Sequence, residues 1–326
     1  MSMSSDSAKP RLLIAEPEGF SDKALAILRS VASVRLNSVT RGELREALLD
    51  YDGLWIRLGH RVDAEVIPAH PRCRVLAVPA TGLDHVDCGL CEQIGIKVLS
   101  LKGETEFLKG VRATAELAVA LALTLMRRIP EAVDSVKAGT WNRDLFRGHE
   151  LFGRTAGIVG MGRLGSIVAG YLRAFGMRVL GFDPRPDFPV ELAERVGSIT
   201  ELLSGSDLVT LHVSYSPATR HLLGPSEMRS MKPGSVLVNT SRGGLVDESA
   251  LLSALRDGRL AGAALDVLDG EPDIGPDHPL VVWSRIHANL LLVPHLGGNT
   301  FESLEKAEVF LAGKVATFLS GSGRGQ

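Results

Sequence analysis

The stretch TAGIVGMGRLGSIVAGYLRAFGMRVLGFD, residues 155–183, decides the fold. Its first five residues, TAGIV, read as a short buried strand. Glycines at 160, 162 and 165 follow in the spacing G-x-G-x-x-G, and RLGSIVAGYLRAFG reads as a helix opening on the third of them. A second apolar run, RVLGFD, ends at Asp183. Strand, glycine turn, helix and strand in this order form the repeating unit of a parallel sheet with helical crossovers. The glycines differ in what they permit. The first allows the tight turn, the second lets the backbone approach a pyrophosphate, and the third permits close helix–strand packing. The helix N-terminus offers unpaired N–H groups and a positive dipole end to phosphates. A carboxylate about 20 positions on accepts hydrogen bonds from ribose hydroxyls and repels a 2′-phosphate. Asp183 is placed for that and favours NAD over NADP, although Arg185, two positions later, can meet such a phosphate.

The same alternation continues outward on both sides. Toward the C-terminus come the apolar runs DLVTLHV, SVLVNTS, GAALDV and LLLVPH, each followed by a polar or glycine-rich loop. Toward the N-terminus, after about eight residues read as frayed, RLLIAE is a first strand and SDKALAILRSVA a helix capped by Ser21. GLWIRL, VLAVPA and IKVLSL follow as further strands. ATAELAVALALTLMRR, 113–128, is different. A helix apolar on all sides is buried on all sides, so it is expected between domains or in a subunit interface. The last helix, TFESLEKAEVFLAGKVATFLSG, has helical apolar spacing and runs into a Gly/Ser tail. The expected fold is α/β, with two Rossmann-like doubly wound parallel-sheet units.

At 326 residues the chain is long for one core and suits two domains. A composition 45% hydrophobic and 23% charged is that of a globular protein, which argues against disorder. A net charge of −2 supplies no field for nucleic acid or anionic membranes, so small molecules and a second copy of the chain are the expected partners. Three cysteines, Cys73, Cys88 and Cys91, are too few and too odd for a disulfide framework and suit a reducing compartment. Cys88 and Cys91 have C-x-x-C spacing, but nothing beside them completes four zinc ligands, so no metal is expected. The apolar run Leu12 to Ala15 is too short for a signal peptide, and LAVALALTLM, 117–126, falls short of the roughly 20 residues that span a bilayer. A soluble, cytoplasmic protein is expected.

A dinucleotide site makes hydride transfer the leading chemistry. That chemistry needs a substrate anchor, a group that exchanges the hydroxyl proton, and a partner that tunes it. Arg242, in the loop after VLVNTS, can bind a carboxylate through two parallel N–H bonds. His295, after the strand LLLV and Pro294, exchanges protons near neutral pH, and a carboxylate beside it favours its protonated form. Asp266 and Glu271 in ALDVLDGEP are the candidates for that carboxylate. Whether these side chains meet is a question for the structure.

These residues carry a resemblance. ATGLDHVD, GRTAGIVGMGRLG, FDP, LHV…PATRHLLG, MKPGSVLVNTSRGGLVDE, DV…EP and PHLGGNT together resemble, nearly end to end, the D-isomer-specific 2-hydroxyacid dehydrogenases, in particular phosphoglycerate dehydrogenase-like members. The resemblance implies that Arg242 anchors the substrate carboxylate, His295 is the acid/base and Glu271 is its partner. It implies that Thr240, Asp266, Gly297 and Gly298 lie toward the nicotinamide end, with His212 and Thr219 near the cofactor and Arg163 and Leu164 over the pyrophosphate. Thr81, Gly82 and Leu83 would bind substrate with Arg242, and Arg57 and Arg143 would meet an anionic substituent. The implied substrate domain is discontinuous, residues 1–105 plus 292–326, with the NAD-binding domain, 106–291, inserted in it. The helix 113–128 would build a homodimer interface. The implied reaction interconverts a D-2-hydroxy acid (phosphoglycerate, glycerate or a related anionic acid) and its 2-keto acid. Glutamate rather than glutamine at 271 favours a reaction in which a proton moves with the hydride. The alternative within the same fold is an NAD(H)-sensing, corepressor-like binding protein. The chain departs from the phosphoglycerate enzymes at Val78, where they often place an arginine. It departs again in the long segment LSLKGETEFLKGVRATAE, which adds Lys102, Lys109 and Arg112. No regulatory domain is expected after residue 326.

Overall fold

The computed structural model describes residues 9–321, so the first eight residues, expected to be frayed, and the end of the Gly/Ser tail lie outside the described residues. The chain forms two units, one reaching Val111 and resuming at Thr300, the other running from Arg112 to Asn299.

In the first unit five parallel strands, β1 (Arg11–Ile14), β2 (Ser33–Leu36), β3 (Gly53–Trp55), β4 (Val75–Val78) and β5 (Lys97–Ser100), lie in the order β2-β1-β3-β4-β5. Side chains alternate across a strand, so this sheet has a core on each face. Leu13, Leu54 and Leu76 join Leu44 and Leu48 on one side, whereas Leu12, Ile14, Trp55 and Val75 join Leu28 on the other. The second side is closed by the helix Phe301–Gly321, whose Ala307, Leu311, Val315 and Leu319 recur every fourth residue and form one stripe. That stripe packs against the helix Asp22–Val31, which is capped as expected: the Ser21 hydroxyl accepts from the Ala24 N–H.

The second unit holds seven parallel strands. They are β6 (Thr155–Val159), β7 (Arg178–Phe182), β8 (Glu194–Arg195), β9 (Leu208–Leu211), β10 (Ser235–Asn239), β11 (Leu260–Leu265) and β12 (Leu290–Leu292). Their order, β12-β11-β10-β9-β6-β7-β8, is that of a dinucleotide-binding sheet with one further strand at the edge. The order reverses between β6 and β9, and ligands lie outside the carboxyl ends of strands at such a switch point. The apolar helix Ala113–Met126 is buried largely within this unit, against the helix Arg163–Ala174 and strands β10 and β11. It ends two residues before the expected 128, because Arg128 adopts a left-handed conformation (φ 54°) and starts a new helix, Ile129–Lys137. Ile129, Val133 and Val136 on that second helix are exposed.

The divides at Val111/Arg112 and Asn299/Thr300 fall a few residues after the expected 105/106 and 291/292. The reason for the second shift is β12. It pairs with β11, and the loop after it is tied back to Asp266, so His295 belongs to the seven-stranded unit.

Candidate active site

The glycine loop follows β6 at the switch point. Gly160 has φ +92°, and a Cβ there would stand 2.5 Å from the His212 carbonyl oxygen, so the loops after β6 and β9 approach as bare backbone. A Cβ at Gly165 would stand 2.0 Å from the Gly160 carbonyl oxygen, which makes the helix–strand approach possible only for glycine. Gly162 precedes the helix Arg163–Ala174, and the nearest atom to its missing Cβ is Arg185 Nη2 at 3.6 Å. A backbone cradle at a helix N-terminus fits a pyrophosphate. Arg163 is partly buried, which lowers its pKa, and Leu164 packs on the core below.

Asp183 ends up buried at the tip of β7. Burial works against its charge, but hydrogen bonds from Arg185 and from the Met161 N–H, with the Arg185 charge, outweigh it and hold the carboxyl below its usual range. Past β9, His212 Nε2 meets Thr210 Oγ1 at 3.0 Å, while its buried Nδ1 has no partner among the described residues. Enclosure of the ring pushes its pKa down to about 4, so it is neutral. The Thr240 hydroxyl, past β10, is buried without a described partner as well. Such groups are rare in native proteins, and two at the ends of adjacent strands fit a polar ligand. The Thr219 hydroxyl accepts from the Ser216 N–H and donates to the Ser214 carbonyl, closing the loop that follows His212.

His295 stands two residues past the hydrogen-bonded end of the sheet, with φ +54°, an unusual conformation for a non-glycine residue. Its own N–H donates to the Asp266 carbonyl oxygen at 2.8 Å, and the Asp266 carboxylate accepts from the next two residues, Leu296 N–H at 2.5 Å and Gly297 N–H at 2.9 Å. Asp266 therefore clamps the His295 loop from below. Its burial raises its pKa despite those bonds and the nearby imidazole. A Cβ at Gly297 would stand 2.9 Å from Asp266 Oδ2, whereas Gly298 faces open space. Across the loop, His295 Nδ1 lies 2.9 Å from Glu271 Oε1, both side chains about a quarter exposed. The carboxylate occupies Nδ1, so Nε2 is the ring nitrogen that faces away from Glu271.

Arg242 follows β10. The Asn239 side-chain amide donates to the Arg242 carbonyl and accepts from the Ser241 N–H, while the Ser241 hydroxyl donates to the Leu211 carbonyl. The next residue, Gly243, lets this loop touch the one bearing Glu271: a Cβ there would stand 2.0 Å from the Leu268 carbonyl carbon. Two residues not singled out from sequence hold that second loop. The Glu248 carboxylate accepts from the Asp269 N–H at 2.8 Å and faces His278 Nε2 at 3.1 Å. Nothing in the local pattern VDESAL distinguishes Glu248 from an ordinary first-turn acid of a helix.

In the five-stranded unit, Thr81, Gly82 and Leu83 form the loop after β4, with Thr81 exposed. Arg57 is engaged internally: Nη2 donates to Glu308 Oε1 at 2.5 Å and Nη1 to the Glu18 carbonyl at 2.7 Å. Glu308 is fully buried, and its other oxygen accepts from the Ser21 N–H. Arg143 sits exposed in a short turn of the seven-stranded unit. Cys88 and Cys91 lie on one helix, Cys88–Gln93. Burial pushes the Cys73 thiol up to about 12 and the Cys91 thiol up to about 11. Among the described residues no three His, Cys, Asp or Glu side chains are grouped to hold a metal ion, and no helix is long and apolar enough to cross a membrane.

Comparison with known proteins gives this arrangement a context. Residues 119–297 match the family model described as D-isomer specific 2-hydroxyacid dehydrogenase, NAD binding domain. The chain is 35% identical to a D-3-phosphoglycerate dehydrogenase of Methanocaldococcus jannaschii, over 95% of this chain and 58% of that protein. It thus spans under three fifths of that relative's length. It is 38% identical to a glyoxylate reductase of Korarchaeum cryptofilum, over 85% of this chain and 82% of that one. In structure it is similar to a D-lactate dehydrogenase of Aquifex aeolicus complexed with NAD and lactic acid, with a TM-score of 0.82, 28% identity and coverage of 95% and 96%.

Proposed function

The chain belongs to the D-isomer specific 2-hydroxyacid dehydrogenase family and carries its NAD binding domain, and from that premise we propose that it interconverts a D-2-hydroxy acid and the matching 2-keto acid. The observation that carries this reading is the 2.9 Å pairing of His295 with Glu271 on the sheet that bears the glycine loop. Bound NADH supplies the hydride for reduction, and NAD⁺ accepts it in oxidation. The Arg242 guanidinium holds the substrate carboxylate by two parallel N–H bonds, which fixes the orientation of the adjacent carbonyl. His295 Nε2–H gives its proton to the carbonyl oxygen as charge develops there, and takes it back in the other direction. Glu271 stabilises the protonated ring and holds its tautomer, while Asp266 holds the loop.

The substrate is a small anionic acid, phosphoglycerate, glycerate (as hydroxypyruvate) or a relative. The loop Thr81–Leu83 contributes to its binding, and Arg143 meets a second negative group. Arg57 serves through its ion pair with Glu308, which supports the turn after β3. The proposed state is a homodimer, but the helix expected to build its interface, 113–128, is largely buried within its own unit, so the exposed Ile129, Val133 and Val136 of the next helix provide the apolar surface instead; light scattering reads that state. Its free thiols suit the cytoplasm.

The deciding experiment is an NADH-oxidation screen over glyoxylate, hydroxypyruvate, pyruvate, 2-ketoglutarate and 3-phosphohydroxypyruvate. Turnover of at least one, lost in His295→Ala by about 10²- to 10⁴-fold with NADH still bound, is the expected result. If every keto acid is inert while NADH binds tightly, the enzyme reading fails and an NAD(H)-sensing binding protein takes its place.

A further inference from the structure

Asp183 stands where a ribose would seek a carboxylate, yet its acceptor positions are already filled. Oδ1 accepts from the Arg185 N–H and from Arg185 Nε, each at 3.0 Å. Oδ2 accepts from the Met161 N–H and from Arg185 Nη2, each at 2.9 Å. A carboxylate has about four lone-pair sites, so none is left for a ribose hydroxyl while the pair is closed. The exposures point the same way: the Asp183 side chain is 8% accessible and that of Arg185 is 50%. At the tip of β7 the group that meets solvent is a guanidinium. It leans over the glycine loop, with Nη2 3.6 Å from the missing Cβ of Gly162.

The neighbouring charges support that placement. Arg195 Nη2 donates to the carbonyls of Asp183 and Arg185, at 3.0 and 2.7 Å, which pins the turn and adds a second positive charge. The acid facing Arg185 from outside is Asp187, 3.9 Å from Nη1 and 74% exposed, where solvent screens it.

We propose that Arg185 allows this site to take a dinucleotide bearing a 2′-phosphate as well as NAD, the guanidinium being the group that receives the phosphate. The inference rests on the NAD-binding reading of the glycine loop. NAD gains the Asp183 carboxylate only by displacing a bidentate guanidinium. A 2′-phosphate is instead met by that guanidinium, which also masks the carboxylate that would repel it. The usual discrimination by an acid at this position is therefore offset from both sides.

Binding titration tests this without any substrate. Dissociation constants for NADH and NADPH are measured by nucleotide fluorescence at one ionic strength for the wild type, Arg185→Ala and Arg185→Lys. The wild-type ratio of NADPH to NADH constants should lie within about tenfold, and Arg185→Ala should raise that ratio by about tenfold or more, the scale of a lost charge-assisted hydrogen bond. NADH binding in the alanine variant should be kept or tightened, which also reports that it is folded. Arg185→Lys, with the charge but not the planar fork, should fall between the two. A wild-type ratio above about tenfold, or a smaller rise in Arg185→Ala, overturns the proposal. Failure of the wild type to bind either nucleotide sinks the cofactor reading with it, whereas tight NADH binding with NADPH excluded sinks this inference alone.

Discussion

His212 carries a neutral ring because enclosure makes its charge costly, and that has a consequence for stability. Its pKa is pushed down to about 4 in the folded chain against about 6.5 when unfolded. Between those values the unfolded state binds the extra proton, so the contribution is complete above about pH 6.5 and is lost as pH falls through 4. The full span is worth at most about 3 kcal/mol. Urea unfolding at pH 7 and pH 4.5 should show a steeper acid loss in the wild type than in His212→Gln; equal slopes would contradict a buried neutral imidazole. At Glu271 the expected effect is on catalysis. Glu271→Gln removes the negative charge 2.9 Å from His295 Nδ1, disfavours the protonated ring, and should move the pH optimum for keto-acid reduction lower. An unmoved optimum would assign Glu271 a purely structural place. The chemical types at this site were legible in the sequence, because an imidazole, a guanidinium and a carboxylate each suit one role. The meeting of His295 with Glu271 was not legible. The Arg57–Glu308 pair joins residues 251 positions apart, and no local pattern marks a glutamate in a helical stripe as fully buried.

Elements were read where burial writes itself into composition. The apolar runs that became β1, β3, β4, β6, β7 and β9 to β11 are buried along most of their length, as parallel strands covered on both faces must be. Two of the edge strands were missed for the converse reason. β2 and β8 are largely exposed, and Glu194–Arg195 has no apolar residue to reveal it. The helix Ile129–Lys137 was hidden because the change of direction at Arg128 is a backbone event, made by an arginine where sequence signals would ask for glycine. Loop contacts were equally silent, and they yield a paired prediction. Gly243→Ala drives a Cβ to 2.0 Å from the Leu268 carbonyl carbon, backbone that cannot swing aside, whereas Gly298→Ala enters open space. The first should lose about 1–3 kcal/mol or more in unfolding experiments and misplace Arg242 against Glu271; the second should unfold like the wild type. Equal stabilities would mean that the two loops do not touch as described.

For the whole molecule, the division into two α/β units was legible from alternation, since each series of strands needs its own sheet. The exact divide was not, because β12 is three residues long and only its pairing with β11 shows which sheet holds His295. That assignment carries the last prediction. Every strand pairing of the seven-stranded sheet is internal to residues 112–299, and both of its apolar cores draw only on that segment. Gly160, Gly162, Gly165, Asp183, His212, Thr240, Arg242, Asp266, Glu271 and His295 all lie on it as well. A fragment of residues 112–299 should therefore unfold cooperatively and bind NADH within about tenfold of the full chain, a difference of about 1.4 kcal/mol. Circular dichroism and NADH fluorescence on the purified fragment decide the matter. A folded fragment that cannot bind NADH would show that the cofactor site needs residues outside this unit, and that the glycine loop, Asp183 and the buried His212 and Thr240 are together insufficient.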